Sequence, residues 1–431
     1  MNAESGLVAR RVVPLLEWLA EEEPVIALHG PRSVGKSTVL RTFAEDHRAD
    51  VIDLDDPLTR DAVSANPALA MAGVSPVCVD EYQHAPELLD SLKARLNREG
   101  ALPGTAVLTG STRHDALPKT AQTLTGRLHP LTIWPLSQGE MEGVRENLVE
   151  GLRAAPGATV AELPTSATDR AQYVGRLVAG GFPLAVRRRQ AARTRWFADY
   201  VRLTIERDAA ELARVRQRQV LADLLYRLAG QTAQLLNVSQ IASVLQVDRR
   251  TVEEHTRLLE DLFLIVRLPA WGKTLRARTT SSAKIHVADS GLAAHLMRIS
   301  PMKLTSLDPT ALSEYGHLLE TFVVGELRKQ VSWLDEPTTI GHWRTSDQDE
   351  IDFVIEFDDG RVLAFEVKAS ERVSSSDFKG LRKLRDAVGE AFIAGVALST
   401  GPRSYTFEDR LHVMPIDRIW REHNQGADSK D

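Results

Sequence analysis

One octapeptide constrains this chain more than any other feature. Gly30, Pro31, Arg32, Ser33, Val34, Gly35, Lys36 and Ser37 fit the pattern G-x-x-x-x-G-K-[ST]. An apolar run from Val25 to Leu28 precedes them, and a helix-forming stretch from Thr38 to Ala44 follows. Strand, glycine loop and helix in that order make an anion cradle. Gly30 and Gly35 let the backbone turn tightly and aim N–H groups inward, and the helix N-terminus adds positive field. Lys36 is expected to reach the β- and γ-phosphates of ATP. Ser37 is expected to hold Mg²⁺, with Thr38 beside it at the nucleotide.

The apolar run from Pro76 to Val79 ends in Asp80 and Glu81. A carboxylate at a strand end suits Mg²⁺, and a second one beside it is placed to polarise the water that attacks the γ-phosphate. This pair argues for hydrolysis over passive nucleotide binding. A third apolar run, from Ala106 to Leu108, ends in Thr109, Gly110 and Ser111. Thr109 or Ser111 is a candidate γ-phosphate contact, the alternative being an ordinary Ser/Thr turn. Arg127 is a candidate arginine finger, the alternative being a surface charge.

At 431 residues the chain has material for several cores, and its net charge of −6 leaves nucleic-acid contact to local basic patches. The single cysteine, Cys78, has no intrachain disulfide partner, as suits a reducing cytoplasm, and is expected to pack in the Asp80 strand. No run approaches the roughly 18 apolar residues of a membrane span, and no signal peptide is evident. A cytoplasmic protein without membrane contact is expected.

Residues 1–160 alternate short strands with helices, the pattern of a parallel α/β sheet. An Ala/Pro/Thr-rich connector lies at 154–168. Residues 161–275 are expected to form a helical lid and a winged helix, interrupted by Gly180, Gly181, Phe182 and Pro183. Arg187, Arg188, Arg189, Arg193 and Arg195 follow, five arginines in nine residues. They suit either a phosphate backbone or a solvated helix face. Within the winged helix, Ser239 is expected to cap the second helix and Asp248 the third, and Phe263 to Leu268 to form a wing strand. The third helix offers Arg249 and Arg250 to DNA but also Glu253 and Glu254, which phosphates repel, so a protein contact is the alternative.

After a connector at 276–310, a last domain is expected at 311–421, with a polar tail at 422–431. Residues 350–357 and 361–368 form two strands around Asp358, Asp359 and Gly360, a three-residue loop with Gly360 left-handed. The apolar pattern pairs Phe353 with Phe365, Ile355 with Leu363 and Ile351 with Val367, gathering the large apolar residues on one face. Asp352 then sits opposite Glu366 on the other face, with Lys368 near. Two carboxylates and a lysine suit metal-dependent phosphodiester cleavage: Asp352 and Glu366 would hold Mg²⁺ or Mn²⁺, and Lys368 would orient the water. A charged, solvated sheet face is the alternative.

With these residues placed, the chain resembles the bacterial and archaeal AAA-type ATPases whose C-terminal domain was long labelled as of unknown function. The likeness runs from the phosphate loop to about residue 400. It includes Leu108 to Ser111, Gly180 to Pro183, Glu206 to Asp208, Val287 to Leu292, Leu318 to Glu320, Trp343 with Arg344, and the two C-terminal strands. The resemblance implies a C-terminal domain like the PD-(D/E)xK (restriction-endonuclease-like) nuclease fold, with Asp352, Glu366 and Lys368 at its core and Glu320 as the acid of the preceding helix. The family's usual tyrosine before Trp343 is His342 here, a change expected to affect packing.

The fold expected is therefore α/β: a P-loop, AAA-like domain, a helical and winged-helix middle, and a nuclease-like α/β domain. The function expected is an ATP-binding, Mg²⁺-dependent ATPase coupled to DNA binding or remodelling, with a metal-dependent nuclease-like module. The alternative is an ATP-dependent switch whose C-terminal domain binds a protein partner without cutting. Assembly into an oligomer is compatible with either.

Overall fold

The computed structural model describes residues 7–112, 124–208, 218–272, 282–306, 308–345, 347 and 349–424. The expected connector at 276–310 and tail at 422–431 thus lie partly outside the described residues, at 276–281, 307 and 425–431.

The first part is a parallel sheet of β1 (Val25–His29), β2 (Val51–Asp53), β3 (Val77–Asp80), β4 (Ala106–Gly110) and β5 (Leu128–Thr132), in the order β2-β3-β4-β1-β5. Every residue of β1, β3 and β4 is buried, as continuous apolar runs in a parallel sheet should be. β1 lies between β4 and β5, with Val25 opposite both Ala106 and Leu128. The loop that leaves β1 therefore opens at the carboxyl edge of the sheet, where α/β folds bind ligands. The helix Lys36–Asp46 lays Val39, Leu40, Phe43 and Ala44 on the sheet, a one-sided spacing. Cys78 is buried in β3, and burial pushes its thiol up to about 12, which leaves it inert packing.

The connector at 154–168 is partly ordered. Pro156 opens a short helix, Pro156–Glu162, because its fixed φ and missing N–H suit a first helical position. Beyond it, Ser166 and Thr168 donate to Asp417 Oδ2 at 2.6 and 2.8 Å, fastening this segment to the C-terminal domain.

The middle is helical: Arg170–Ala179, Pro183–Val186, Gln190–Leu203, Arg218–Gly230, Val238–Leu245 and Arg249–Asp261. An antiparallel sheet of β6 (Gln234–Leu235), β7 (Ile265–Leu268) and β8 (Lys284–Val287), ordered β6-β8-β7, closes it. Asp248 caps its helix by accepting from Thr251 N at 2.7 Å, as expected. Ser239 does not cap the helix before it. Asn237 does, accepting from Gln240 N at 3.0 Å, since the helix starts two residues earlier than a Ser239 cap implies.

The last part is a mixed six-stranded sheet of β9 (Thr338–Arg344), β10 (Glu350–Phe357), β11 (Val362–Lys368), β12 (Phe392–Ser399), β13 (Tyr405–Glu408) and β14 (Leu411–Pro415), ordered β13-β14-β12-β11-β10-β9. Phe353 pairs with Phe365 and Ile355 with Leu363, in the register expected, and Gly360 has φ +77°. One expectation fails, and so does the alternative of a solvated sheet face. Ile351 packs on the opposite face from Phe353, with Val354, Val362 and Ala364, because the pairing with β9 shifts between Ile351 and Val354. Nor is the face of Ile351 solvated: Phe378, Leu381 and Leu384 of the segment around the Lys379–Val388 helix cover it. The other face, with Phe353, Ile355 and Phe365, joins the core that includes Leu318, Phe322 and Val323 of the 23-residue helix Pro309–Val331. That core continues through Leu224 and Tyr173 to Leu16 and Phe43, so one apolar cluster links all three parts.

Candidate functional sites

At the phosphate loop, Gly30 has φ +154°, and a Cβ there would lie 2.2 Å from Ile133 O. Gly35, at φ +99°, turns the chain into the helix. No side chain fits either position at low cost. Lys36 is 4% exposed, and its Nζ donates to Gly30 O and Pro31 O at 3.0 Å each, holding the ammonium over the cradle. Ser37 Oγ donates to Asp80 Oδ1 at 3.1 Å, and Thr109 Oγ1 donates to the same oxygen. A hydroxyl and a carboxylate so joined are the hard-oxygen set that Mg²⁺ takes, so the residues present fit that ion.

Glu81 has φ +54° and ψ +48°, a left-handed conformation uncommon outside glycine. Its N–H donates to Thr109 Oγ1 at 3.1 Å, and its carboxylate accepts from Gln83 Nε2. Gln83 Nε2 also donates to Ser111 Oγ at 3.2 Å. Thr109, Ser111, Asp80 and Glu81 thus form one connected group. A cavity of about 340 Å³ opens here, bounded by residues 33–38 of the loop and Glu81. Its far wall is Leu7, Val8, Arg10, Leu136, Pro183, Leu184 and Arg187.

Three of these residues escaped sequence reasoning in this role. Arg10 donates to Val34 O at 2.7 Å, to Trp134 O at 2.6 Å and to Glu140 Oε1 at 3.0 Å, clamping the loop from outside. Gln83 carries no motif. Arg187 stands out only as one of a cluster, and the structure disperses that cluster. Arg187 lines the nucleotide cavity, while Arg193 donates to the carbonyls of Ala185, Val186 and Arg188. Arg127 is not brought to this cavity. It is half-buried, donates to Asn97 Oδ1, and precedes the amino end of β5, about 16 Å along the strand from the cradle's edge.

In the C-terminal domain the predicted acids do converge, but on a residue the sequence did not single out. Lys284 of β8, with a side chain 2% exposed, sits among them. Its Nζ donates to Glu320 Oε1 at 2.7 Å and Asp352 Oδ1 at 2.9 Å, and pairs with Glu350 Oε1. Asp352 Oδ2 accepts from Val367 N at 2.8 Å, taking the place of a ladder bond between β10 and β11. Glu366 Oε1 accepts from Lys368 Nζ at 2.9 Å, and Lys368 lies 3.5 Å from Asp377 Oδ1. Glu366 Oε2 is buried with no hydrogen-bond partner.

Burial opposes the charge of Lys284, yet Asp352, Glu320 and Glu350 outweigh it and hold its pKa above the usual lysine range. Burial, and then the neighbouring Asp352, raise Glu320 well above the usual carboxylate range and push Glu366 up to about 8. Among the described residues, no group of three or more His, Cys, Asp or Glu side chains is placed to hold a metal ion. The ammonium of Lys284 stands among Glu320, Asp352 and Glu350. A cavity of about 930 Å³ adjoins the cluster, reaching from Glu320, Asp352 and Glu366 past Arg344 to Gln240 and Arg249. His342, where the family has tyrosine, is buried and bonds Ser282 O at 3.0 Å through Nε2. On the Arg249–Asp261 helix, Arg250 is spent on Glu254 at 2.7 Å. Among the described residues no helix is long and apolar enough to cross a membrane.

Comparison with known proteins agrees with this architecture. Residues 22–142 match the family described as AAA domain. Residues 170–303 and 315–419 match two families described as domains of unknown function, DUF8612 and DUF4143. Uncharacterized proteins of Mycobacterium tuberculosis and Mycobacterium bovis are each 26% identical over 398 residues, covering 92% of this chain and 81% of theirs. Among solved structures, a Walker-type ATPase of Pyrococcus abyssi is 17% identical, with 67% of this chain and 95% of that chain covered and a TM-score of 0.41. The Holliday junction branch migration motor RuvB of Thermotoga maritima is 15% identical, with 61% and 90% covered and a TM-score of 0.29. Residues 22–142 thus match an AAA-type P-loop domain, and residues 315–419 match the DUF4143 family.

Proposed function

We propose that the chain binds ATP with Mg²⁺ in the cavity at Lys36 and hydrolyses it, using the cycle to move its middle and C-terminal parts. The observation that carries this reading is the connected group Ser37–Asp80–Thr109 and Glu81–Gln83–Ser111 at the mouth of the phosphate cradle. Lys36 and the loop amides bind phosphate charge already present in the ground state. Ser37 and Asp80 would hold Mg²⁺, which neutralises charge on the phosphate oxygens. Glu81 takes a proton from the attacking water once Gln83 lets go of its carboxylate. Arg187, on the helical lid, supplies a positive charge from the opposite wall. Arg127 would meet a nucleotide only in a neighbouring copy, so a role for it requires an oligomer.

DNA is the proposed partner of the moving parts, with Arg249 and Arg344 at the rim of the larger cavity as phosphate contacts. The second reading, a protein-binding switch without cleavage, is favoured by Lys284 filling the acid cluster and by the exposed Glu253 and Glu254. Phosphate release measured with and without single-stranded, duplex and branched DNA tests both. No turnover under any condition would sink the ATPase reading. Turnover that DNA never changes, with no DNA binding, would promote the protein-binding switch.

A further inference from the structure

We propose that Arg10 is a positioning residue for the nucleotide, through which the C-terminal domain regulates ATP binding. Its role rests on the ATP-binding reading and adds a control to that same site. Arg10 uses all three guanidinium nitrogens. Nη1 donates to Val34 O at 2.7 Å, Nη2 to Trp134 O at 2.6 Å and Nε to Glu140 Oε1 at 3.0 Å. Val34 precedes Gly35, and a Cβ on Gly35 would lie 3.6 Å from Nη1. A cation that holds the Val34 carbonyl leaves the loop amides free to face phosphate.

The place of Arg10 is set by a group of three buried ion pairs. Arg10 meets Glu140, Arg11 lies 3.8 Å from Glu146, and Lys329 meets Glu326 at 2.5 Å. None of the three carboxylates is more than 3% exposed. Charges this deep add little over apolar packing of the same volume, but each is costly to strand, so together they fix a geometry. Glu326 and Lys329 belong to the Pro309–Val331 helix, which packs on the six-stranded sheet of the C-terminal domain.

Three consecutive residues join that helix to Arg10. Leu136 O accepts from Lys329 Nζ at 3.0 Å, Ser137 N donates to Glu140 Oε2 at 2.9 Å, and Gln138 N donates to Glu326 Oε2 at 2.8 Å. Glu140 therefore holds the middle of this segment with one oxygen and Arg10 with the other. Leu136 also walls the ATP cavity, and its N–H donates to Gly181 O at 2.8 Å. A shift of the helix moves this segment, then Glu140, then the guanidinium that braces Val34. ATP affinity is thereby tied to the seating of the helix, and by linkage bound nucleotide favours the seated helix.

Calorimetric titration of the full chain with ADP and Mg²⁺ tests this without any need for turnover. The proteins compared are wild type, R10K, E326Q/K329M and the triple variant. R10K keeps the charge but not the planar fork that reaches two carbonyls and a carboxylate. It is expected to bind ADP about tenfold more weakly. Neither Glu326 nor Lys329 lines the ATP cavity, yet E326Q/K329M is expected to weaken ADP binding about threefold. The triple variant should bind no more weakly than R10K, because both changes act through the one bond to Val34. In steady state R10K should raise KM for ATP and leave kcat within about twofold, the split that follows when only ground-state binding is lost. Wild-type affinity in R10K or in E326Q/K329M overturns the proposal, as does a triple variant in which the two losses add. If R10K does not fold, E140Q takes its place in the same cycle with the same outcomes. A wild type that binds no ADP overturns the ATP-binding reading as well, whereas the other failures leave that reading standing.

Discussion

Gly181 and Asp289 stand 108 residues apart in the chain and share a 2.6 Å hydrogen bond, amide to carboxylate. The neighbouring Gly180 has φ +65°, and a Cβ on it would lie 2.2 Å from Asp289 Oδ1. Asp289 Oδ1 also accepts from Leu292 N at 2.9 Å, starting the helix that follows β8. Burial raises the pKa of Asp289, and these amides pull it back. Removing the carboxylate strands two buried donors. D289A should therefore lose about 3 kcal/mol of stability in urea unfolding. It should also weaken ATP binding, since the lid wall is no longer tied down. D289N, which keeps an acceptor, should lose less. Equal stability of D289A and wild type would rule out the tie.

At the phosphate cradle, K36A should lose most ATP affinity, and E81Q should bind ATP normally while turning over at least about 100-fold more slowly. The difference follows from timing. Lys36 meets charge that exists before reaction, and Glu81 meets a proton that moves during it. Nucleotide titration beside steady-state phosphate release separates the two, and wild-type turnover by E81Q would remove Glu81 from the chemistry.

The arginine cluster should divide in function as it divides in space. R187A should lower ATP turnover, because its side chain lines the cavity. R193A should cost about 2 kcal/mol of stability, because Val186 O and Arg188 O lose the donor it supplies, while Ala185 O keeps the N–H of Arg188. Neutralising Arg188, Arg189 and Arg195 together should flatten the salt dependence of DNA binding, by about one unit of slope per lost phosphate contact. An unchanged slope would return those three to the role of a solvated surface.

Glu146 gives a pH dependence that has nothing to do with catalysis. Its side chain is 1% exposed and accepts from Ser137 Oγ, with Arg11 Nε 3.8 Å away. Burial, opposed by Ser137, pushes its pKa up to about 7 from 4.5. A carboxyl with a raised folded-state pKa keeps its proton longer in the fold than in the unfolded chain. Its contribution is fully present below about pH 4.5 and is lost as pH rises through about 7, up to about 3 kcal/mol. Urea midpoints of wild type should fall across that window relative to E146Q, and parallel profiles would refute the assignment.

Much of this was legible in the sequence, for identifiable reasons. The phosphate loop, Asp80 and Glu81 announce themselves because their chemistry is local: strand, turn and helix follow within a few residues. The register of Phe353 on Phe365 was legible because alternation allows no other. Ile351 was misplaced because a bulge obeys pairing with β9, which the hairpin pattern does not contain. Lys284 escaped because the acids it meets lie 36 to 68 residues away in sequence. Arg187 was noticed for its neighbours' charges, and only the fold separates it from them.

The helix Pro309–Val331 touches both candidate sites. Glu320 binds Lys284, while Glu326 accepts from Gln138 N at 2.8 Å and Lys329 donates to Leu136 O at 3.0 Å, the residue whose side chain walls the ATP cavity. From Glu320 to Lys329 is about 14 Å along the axis. An α-helix keeps phase as well as distance. One inserted residue would swing one end about 100° against the other, whereas seven would nearly restore the alignment. This stretch is a screw thread with fixed pitch, along which a two-turn insertion restores the angle but still parts the two contacts by about 10 Å.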